Sequence, residues 1–215
     1  MSTDVEREKR LAAEAAAELV KDGMAVGLGS GSTAAYFVTA LAERALDIRC
    51  VATSLATEEA ARAAGLAVES FAGAGALPRL DITVDGADQV APDRWLVKGG
   101  GGAHTREKIV ARAARRFVAI VSSNKLVDEI RQPIPVELLD YGLAATLARL
   151  EHVLLRDAPR TPDGGVLADW VGPFQRPAQL SELLEVTPGV VENGFFPPGI
   201  VTEVLVGRGD DVERL

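Results

Sequence analysis

Short apolar segments alternate with helical segments over the first 121 residues, and this alternation constrains the fold more than any other feature. The apolar runs with strand character lie at 24–28, 48–52, 67–71, 82–84, 95–97 and 117–121. One helical segment precedes them at 4–21, and others lie between them at 34–44, 55–64 and 105–115. Strands that alternate with helices in this way predict an α/β fold, with a mostly parallel sheet and helices on both faces.

The order of predicted strands and helices changes after Pro133. Strand-like and helical segments follow in the order βαββαβ, at 134–138, 142–150, 152–156, 165–170, 178–186 and 189–193. That order is typical of a ferredoxin-like α+β domain. The last apolar segment, 201–206, is expected to return to the first sheet. The sequence therefore predicts a Rossmann-like domain of residues 1–130 plus 201–215, and a smaller ferredoxin-like domain of residues 131–200.

Composition excludes several classes of function. With 23 basic and 31 acidic residues the formal net charge is −8, which argues against a nucleic-acid partner. The single cysteine, Cys50, excludes an intrachain disulfide and a cysteine-cluster metal site, and two histidines alone make a zinc site unexpected. No apolar run approaches the ~20 residues that span a bilayer, and the charged stretch 2–10 lacks signal-peptide character. We expect a cytoplasmic protein that does not bind membranes.

A glycine- and hydroxyl-rich turn, GLGSGSTA at 27–34, joins a predicted strand to a predicted helix. Glycines let the backbone approach a ligand closely, and hydroxyl groups at a helix N-terminus form an anion site. The turn matches neither a Walker loop nor the dinucleotide fingerprint, because the required lysine and glycine positions are absent. A phosphate monoester is the ligand that this composition favours. A plain turn with a helix cap is the alternative.

Two carboxylates and a lysine lie close to a run of four glycines. Asp85 and Asp88, in DGAD, follow a strand and lie where open α/β sheets bind their ligands. An Asx turn is the alternative explanation for this pair. Lys98 then opens the tetraglycine run 99–102, whose ordering on folding is costly unless backbone N–H groups bind an oxyanion.

Three further polar residues lie near these motifs. Glu107 falls in the first turn of a predicted helix, and Lys108 follows where a capping box would need an acid, so Glu107 is available as a base. Its other explanation is a favourable interaction with the helix dipole. Lys125, after the strand 117–121, is predicted to begin a helix and to contact substrate. His104 is interpreted as a loop residue rather than a catalytic group.

The motifs together resemble the ribose-5-phosphate isomerase type A family. They are GSGST at 29–33, DGAD at 85–88, KGGGG at 98–102 followed by TREKI at 105–109, and a lysine after the next strand. The order and spacing of the motifs are specific, and the resemblance covers almost the whole chain, including the segment 188–196. One departure is Gln89, where the family commonly has glutamate.

The resemblance implies an aldose–ketose isomerase that interconverts D-ribose 5-phosphate and D-ribulose 5-phosphate through an enediolate, in the non-oxidative pentose phosphate pathway. It implies Glu107 as the catalytic base. Asp85 and Asp88 would hold hydroxyl groups and move protons, while Lys98 would stabilise the oxyanion. The residues that it places around the substrate are Ser30, Gly31, Ser32, Thr33, Asp85, Gly86, Ala87, Asp88, Lys98, Gly99, Gly100, Gly101, Lys125 and Lys9.

The resemblance implies no metal and no organic cofactor. We expect a homodimer or homotetramer, because the inserted domain should expose apolar surface. Two other functions stay open. One is a different enzyme of related architecture, such as a sugar-phosphate deaminase or a CoA transferase. The other is a non-catalytic sugar-phosphate sensor, although the sequence offers no basic recognition helix for binding DNA.

Overall fold

The computed structural model describes residues 3–215, which divide into two compact units. The first unit contains the chain up to Ala87 together with Arg106–Leu126 and Pro198–Leu215, and the second contains Asp88–Thr105 and Val127–Pro197. The domain bounds drawn from the sequence stay a prediction, and these units differ from them mainly in placing residues 88–105 with the second unit. Within residues 3–215, no helix has the length and apolar character to cross a membrane.

The helices are α1 (Thr3–Ala17), α2 (Ser32–Glu43), α3 (Leu55–Ala63), α4 (His104–Ala113), α5 (Leu143–Leu150) and α6 (Pro177–Glu185). The first six strands are β1 (Ala25–Leu28), β2 (Arg49–Ala52), β3 (Leu80–Asp85), β4 (Gln89–Val90), β5 (Leu96–Val97) and β6 (Ala114–Ser122). The others are β7 (Ile134–Leu138), β8 (Val153–Leu155), β9 (Val166–Trp170), β10 (Val190–Asn193), β11 (Phe195–Phe196), β12 (Glu203–Arg208) and β13 (Asp211–Arg214).

The first unit is built on a six-stranded sheet in the order β13-β12-β6-β3-β1-β2. Five strands run parallel, and β13 adds an antiparallel edge. The chain passes from β1 to β2 on one side and then crosses to β3 on the other side. The strand order therefore reverses at β1, which makes the crevice beside β1 and β3 a topological switch point.

Helices cover both faces of this sheet because its strands are apolar on both faces. On one face, side chains of α1 and α2 pack on alternate residues of β1 and β3, among them Val26 and Ile82. On the other face, Val110 of α4 packs with Val51 and Leu80. α1 approaches β12 so closely that a Cβ atom at Gly207 would lie 1.9 Å from the Glu8 carbonyl oxygen.

The second unit contains a four-stranded antiparallel sheet in the order β10-β7-β9-β8, with α5 and α6 in the sequence order βαββαβ. Buried side chains of β7, including Ile134 and Val136, pack with Leu150 of α5 and Leu180 of α6. A three-stranded sheet, β11-β5-β4, belongs to the same unit. The predicted fold class, a Rossmann-like sheet with a smaller ferredoxin-like α+β domain, is confirmed, and 203–208 joins the first sheet as expected.

Two of the predicted strands were wrong or misplaced. The run 67–71 forms only a single bridge between Val68 and Cys50, because it is interrupted by Glu69 and Ser70 and followed by small residues at 72–76. The strand at 95–97 pairs antiparallel with β4 rather than joining the parallel sheet. The reason is a tight turn at 91–94, in which the Arg94 N–H bonds to the Ala91 carbonyl and the φ of Arg94 is 63°.

Two helix boundaries also differ from prediction. α1 ends at Ala17 instead of at residue 21, because the Arg44 guanidinium donates hydrogen bonds to the carbonyl oxygens of Ala17 and Val20 at the helix C-terminus. Lys125 does not begin an α-helix but closes a 3-10 turn at Ser123–Lys125. The chain then becomes extended at Leu126. The Val127 N–H donates to the Val90 carbonyl at 3.0 Å, an ordinary length for a backbone hydrogen bond. The edge strand β13 was missed, since its polar residues give no apolar alternation.

Candidate active site

The switch point of the first sheet brings the predicted phosphate loop beside the first aspartate of DGAD. Residues 29–31 follow β1, and Asp85 ends the neighbouring strand β3. The Gly29 N–H donates to the Val84 carbonyl at 2.9 Å, so the loop begins as a continuation of the strand pairing. Because carboxyl ends of parallel strands meet at one edge of the sheet, both segments face the same crevice.

Asp85 is fully buried and organises this edge of the sheet. Its Oδ1 accepts the Ser30 N–H at 3.0 Å and the Gly86 N–H at 2.7 Å. A Cβ atom at Gly29 would lie 2.1 Å from the Asp85 carboxyl carbon, so only glycine allows the aspartate to occupy this position. The glycine of the loop and the aspartate of DGAD are therefore a matched pair.

Glu107 is held against the same loop by the packing of α4. A Cβ atom at Gly27 would lie 2.6 Å from Val110, so the helix contacts the strand backbone directly, and the Thr83 hydroxyl donates to the Val110 carbonyl at 3.1 Å. Glu107 lies one turn earlier and is 5% exposed. Its Oε1 accepts a hydrogen bond from the Ser30 hydroxyl at 2.5 Å. A buried carboxylate is thus held against the turn that precedes α2.

The N-terminus of α2 lies where the sequence predicts an anion site, and that site stays a prediction. Gly31 caps the helix with a φ of 88°, a left-handed conformation that glycine adopts without strain. Lys9, which is buried, donates to the Ser32 hydroxyl at 3.1 Å and to Glu6 at 2.8 Å. Hydrogen bonds from Lys9 and Tyr36 lower the pKa of Glu6. The helix terminus and the Lys9 ammonium together favour a bound anion.

Lys125 is positioned by a buried carboxylate of α1. Glu8 accepts hydrogen bonds from the Ser123 N–H at 2.9 Å, the Ser123 hydroxyl at 2.8 Å and the Gly209 N–H at 2.9 Å. Burial raises the pKa of Glu8, but these hydrogen bonds outweigh burial and the net pKa is lowered. Glu8 therefore fixes the turn that Lys125 closes, at the carboxyl end of β6.

The glycine loop belongs to the second unit, together with Asp88 and Lys98. The Asp88 Oδ2 accepts the Gly100 N–H at 2.8 Å, and the Gly102 N–H closes a turn onto the Gly99 carbonyl at 3.0 Å. The Lys98 side chain is buried, with its ammonium 5.5 Å from the centre of the Phe196 ring. The loop is therefore a defined turn rather than an open linker.

Two glycines of this loop are required by packing. A Cβ atom at Gly99 would lie 2.6 Å from the buried His104 ring, and one at Gly102 would lie 2.5 Å from Leu167. Both glycines also have positive φ, 106° and 78°. Gly100 and Gly101 have no such φ, and a Cβ atom at Gly101 would meet nothing within 4 Å. His104, interpreted from the sequence as a loop residue, is instead the first residue of α4, and its ring packs against Gly99.

The first unit brings together Ser30, Asp85 and Glu107 by direct contact, with Lys9 at Ser32. Gly86 and Thr33 are neighbours, since a Cβ atom at Gly86 would lie 3.8 Å from the Thr33 Cβ. The second unit brings together Asp88 and Gly100. Sequence reasoning missed Arg156, whose guanidinium contacts the glycine loop. No motif surrounds Arg156, and no local signal could have found it.

The described part of the chain contains no cluster of side chains that could bind a metal ion. Across residues 3–215, no group of three or more histidine, cysteine, aspartate or glutamate residues is arranged to hold a metal ion. The single cysteine, Cys50, is buried in the core, and burial raises the pKa of its thiol to about 12. A thiol with that pKa is a packing residue and not a nucleophile.

Two family profiles match the chain. The profile described as ribose 5-phosphate isomerase A (phosphoriboisomerase A) matches residues 49–211. A second profile, the DeoR C-terminal sensor domain, matches residues 4–75. The second match ends before Asp85 and Glu107, whereas the first includes both.

Relatives and solved structures agree with the first profile over the full length of the chain. Ribose-5-phosphate isomerase A of Gluconobacter oxydans (strain 621H) is 43% identical over 229 residues, covering 99% of this chain and 97% of the relative. The crystal structure of ribose 5-phosphate isomerase A from Neisseria gonorrhoeae has a TM-score of 0.92 at 31% identity, covering 100% and 98% of the two chains. A D-ribose-5-phosphate isomerase in complex with phospho-erythronic acid has a TM-score of 0.91 at 32% identity, covering 99% of each chain.

Proposed function

The chain belongs to the ribose-5-phosphate isomerase A family and is an aldose–ketose isomerase, and we propose that Glu107 is the base that moves its proton. The enzyme interconverts D-ribose 5-phosphate and D-ribulose 5-phosphate, a reaction of the non-oxidative pentose phosphate pathway. Glu107 removes the proton from C2 of the open-chain aldose and returns it to C1 of the enediolate. A positioned general base of this kind contributes about 10²–10⁴-fold to the rate.

The observation that carries the assignment of Glu107 is its hydrogen bond to Ser30. Ser30 belongs to the turn before α2, where the helix N-terminus and Lys9 favour a bound anion. We assign the phosphate of the substrate to this turn, at residues 30–33. The phosphate takes no part in the chemistry. The free energy of its binding to the turn therefore holds C1 and C2 of the substrate near the base.

The other residues have roles that rest on the family resemblance. Asp85 and Asp88 bind substrate hydroxyl groups, assist ring opening and move protons between O1 and O2. Lys98 and the N–H groups of 99–101 stabilise the negative charge that develops on oxygen. Loss of one such donor typically costs about 2.7–4 kcal/mol of transition-state stabilisation. Lys125 completes the set as a contact to the substrate.

The match to a sensor domain fits the same assignment. It covers residues 4–75, which include Lys9 and the turn at 30–33. A sugar-phosphate sensor needs an anion site but no base, and this part of the chain supplies the anion site alone. Glu107 lies outside the match, and its buried carboxylate at Ser30 is what a catalyst needs in addition.

The function is tested by a direct assay of the purified protein. We expect conversion of ribose 5-phosphate to ribulose 5-phosphate, and the reverse reaction, with undiminished rates when EDTA is present and no metal is added. The proton transfer requires only the side chains named above. A parallel assay for ammonia release from glucosamine 6-phosphate should be negative. A protein that releases ammonia but does not convert ribose 5-phosphate would contradict the assignment.

Gly101→Ala tests whether the glycine loop approaches the substrate. Gly101 is exposed, its φ is not positive, and a methyl group there would meet no neighbour within 4 Å. The free energy of unfolding should therefore change by no more than about 0.5 kcal/mol. We expect kcat/KM to fall at least about tenfold, because the methyl group lies where a ligand oxygen would approach the backbone N–H.

The matched control for this variant is Gly75→Ala. Gly75 is also exposed, lacks a positive φ and has an open Cβ position, but it lies in a loop of the first unit away from every candidate site residue in the sequence. Its kinetic constants should equal those of the wild type. Equal kinetic constants in Gly101→Ala as well would remove residues 99–101 from the substrate site.

We also propose that the enzyme works in the cytoplasm as a homodimer or homotetramer. The second unit exposes large apolar side chains that a monomer would leave in water. They include Tyr141 at 94%, Val186 at 71% and Leu154 at 61% exposure. Association of subunits would remove such side chains from water.

A further inference from the structure

One charged side chain from the β8–β9 hairpin forms hydrogen bonds with the backbone of the glycine loop. Arg156, just after β8, uses its Nη1 to donate to the Gly99 carbonyl at 2.9 Å and to the Gly100 carbonyl at 3.2 Å. Its Nε and Nη2 donate to the two carboxylate oxygens of Asp169 at 2.8 Å and 2.6 Å. One edge of the guanidinium is thus fixed by a bidentate ion pair, and the remaining nitrogen holds the loop.

We propose that Arg156, braced by Asp169, is a positioning residue that aims the Gly101 N–H at the substrate and holds the Gly100 N–H on the Asp88 carboxylate. The proposal rests on the function proposed above, in which the glycine loop stabilises negative charge and Asp88 binds a substrate hydroxyl group. Arg156 touches neither the reacting atoms nor the base, and it acts through the two peptide units that it holds.

The geometry of the peptide bond explains how a contact to carbonyl groups orients N–H groups. In a trans peptide the C=O and the next N–H point in opposite directions. Fixing the Gly99 carbonyl toward Arg156 therefore turns the Gly100 N–H away from it, and that N–H meets the Asp88 carboxylate at 2.8 Å. Fixing the Gly100 carbonyl turns the Gly101 N–H away from Arg156 in the same manner.

The middle of the loop is held by the hydrogen bond from the Gly100 N–H to Asp88 and by the contact of Arg156 with the Gly100 carbonyl. Gly99 and Gly102 are fixed by packing and by the hydrogen bond that closes the turn. Gly100 and Gly101 lack side chains, and glycine has the largest backbone freedom of any residue. Without Arg156, the peptide unit between Gly100 and Gly101 could rotate and lose the direction of its N–H group.

Arginine suits this role better than lysine. Its planar guanidinium presents donors in a fixed fork, so binding Asp169 along one edge determines where the other nitrogen points. The pair is also shielded from water, with side-chain exposures of 18% for Arg156 and 21% for Asp169. A lysine has a single flexible ammonium and cannot hold the carboxylate and two carbonyls in one plane.

The test compares Arg156→Met with Arg160→Met. Arg160 forms an ion pair with Asp140 at 2.7 Å in the same unit, but with exposures of 51% and 63% and with no described bond to the glycine loop. We expect kcat of Arg156→Met to fall about 10–100-fold, because misplacement of a catalytic group by about 1 Å costs up to about 10²-fold. KM should stay within about threefold, because the phosphate site at 30–33 is unchanged. Arg160→Met should keep both constants.

A purely structural role would give a different pattern. Melting temperatures of both variants are measured, and kinetics are recorded well below them, so that loss of folded protein cannot imitate a loss of kcat. Added guanidinium should restore part of the kcat of Arg156→Ala and none of the kcat of Glu107→Gln. A normal kcat in Arg156→Met, or a loss that appears only in the melting temperature, would overturn the positioning role.

A second variant decides the matter if Arg156→Met does not fold. Asp169→Asn keeps the shape of the brace but removes its charge and one of its two acceptors, because an amide NH2 cannot accept a hydrogen bond from Arg156. We expect kcat to fall about threefold to tenfold with KM unchanged, because the remaining hydrogen bond is also weaker, neutral hydrogen bonds being about half as strong as charged ones. An unchanged kcat would overturn the proposal. A wild-type protein without isomerase activity would overturn the proposed function itself, whereas an active wild type with an active Arg156→Met overturns the positioning role alone.

Discussion

The Glu107→Gln variant is expected to fold and to bind ribose 5-phosphate, while its kcat falls at least about a hundredfold. Glutamine has the size of glutamate, and its amide oxygen can accept the same hydrogen bond from the Ser30 hydroxyl. The variant therefore removes only the ability to take up a proton. In D₂O the wild type should exchange the transferred hydrogen with solvent, and the variant should show a matching loss of exchange.

Glu58→Gln is the matched control for the charge of Glu107. Glu58 lies in the first turn of α3, as Glu107 lies in the first turn of α4, so both variants remove a favourable interaction with a helix dipole, worth about 0.3–1 kcal/mol. Glu58→Gln should lose stability without losing kcat. If Glu107→Gln keeps a near-normal kcat, another residue must be the base, whatever happens to stability.

The Gly29→Ala variant is expected to lose both stability and activity. Its methyl carbon would lie 2.1 Å from the Asp85 carboxyl carbon and 2.5 Å from the Asp85 Cβ. Rotation of the carboxylate cannot relieve the contact with Cβ, so the ends of β1 and β3 must move apart. Such overpacking costs about 1–3 kcal/mol, and the displacement of Asp85 should lower kcat/KM at least about a hundredfold.

Two measurements separate these effects of Gly29→Ala. Chemical denaturation gives the free energy of unfolding, and kinetics at low temperature give kcat/KM of the fraction that is folded. The control is again Gly75→Ala, whose Cβ position is open. A variant that is destabilised but fully active when folded would show that the position of Asp85 does not matter for catalysis, and would remove Asp85 from the site.

Much of the fold could be predicted because its elements have strong local signals. The apolar strands β1 and β6 and the helix α3 lie within a few residues of their predicted bounds. The order βαββαβ of the second unit was also readable from periodicity. Errors arose where a long-range contact overrode the local pattern. Arg44 ends α1 early by binding its carbonyls, and the bond from Val127 to Val90 ends the 3-10 turn after Lys125.

The candidate site could be predicted only in part. The glycine run, the paired aspartates and Glu107, a first-turn glutamate outside any capping box, can be recognised in the sequence because each is an unusual choice for its local structure.

Gln89 can be recognised only as a departure from the family. Its side-chain amide both donates to the Arg131 carbonyl at 2.7 Å and accepts the Arg131 N–H at 2.9 Å. A glutamate could accept the second bond but could not donate the first.

The order of residues was enough to identify the classes of element, the chemical groups available and, through the resemblance of its motifs, the reaction. Those properties depend on neighbours within a few residues, where spacing and residue type are sufficient. The folded chain was needed to show that Glu107 lies at Ser30, 77 positions away, and that Arg156 holds the carbonyls of the glycine loop, 56 or 57 positions away. Contacts across such distances are set by the packing of whole helices and strands, which no local pattern records.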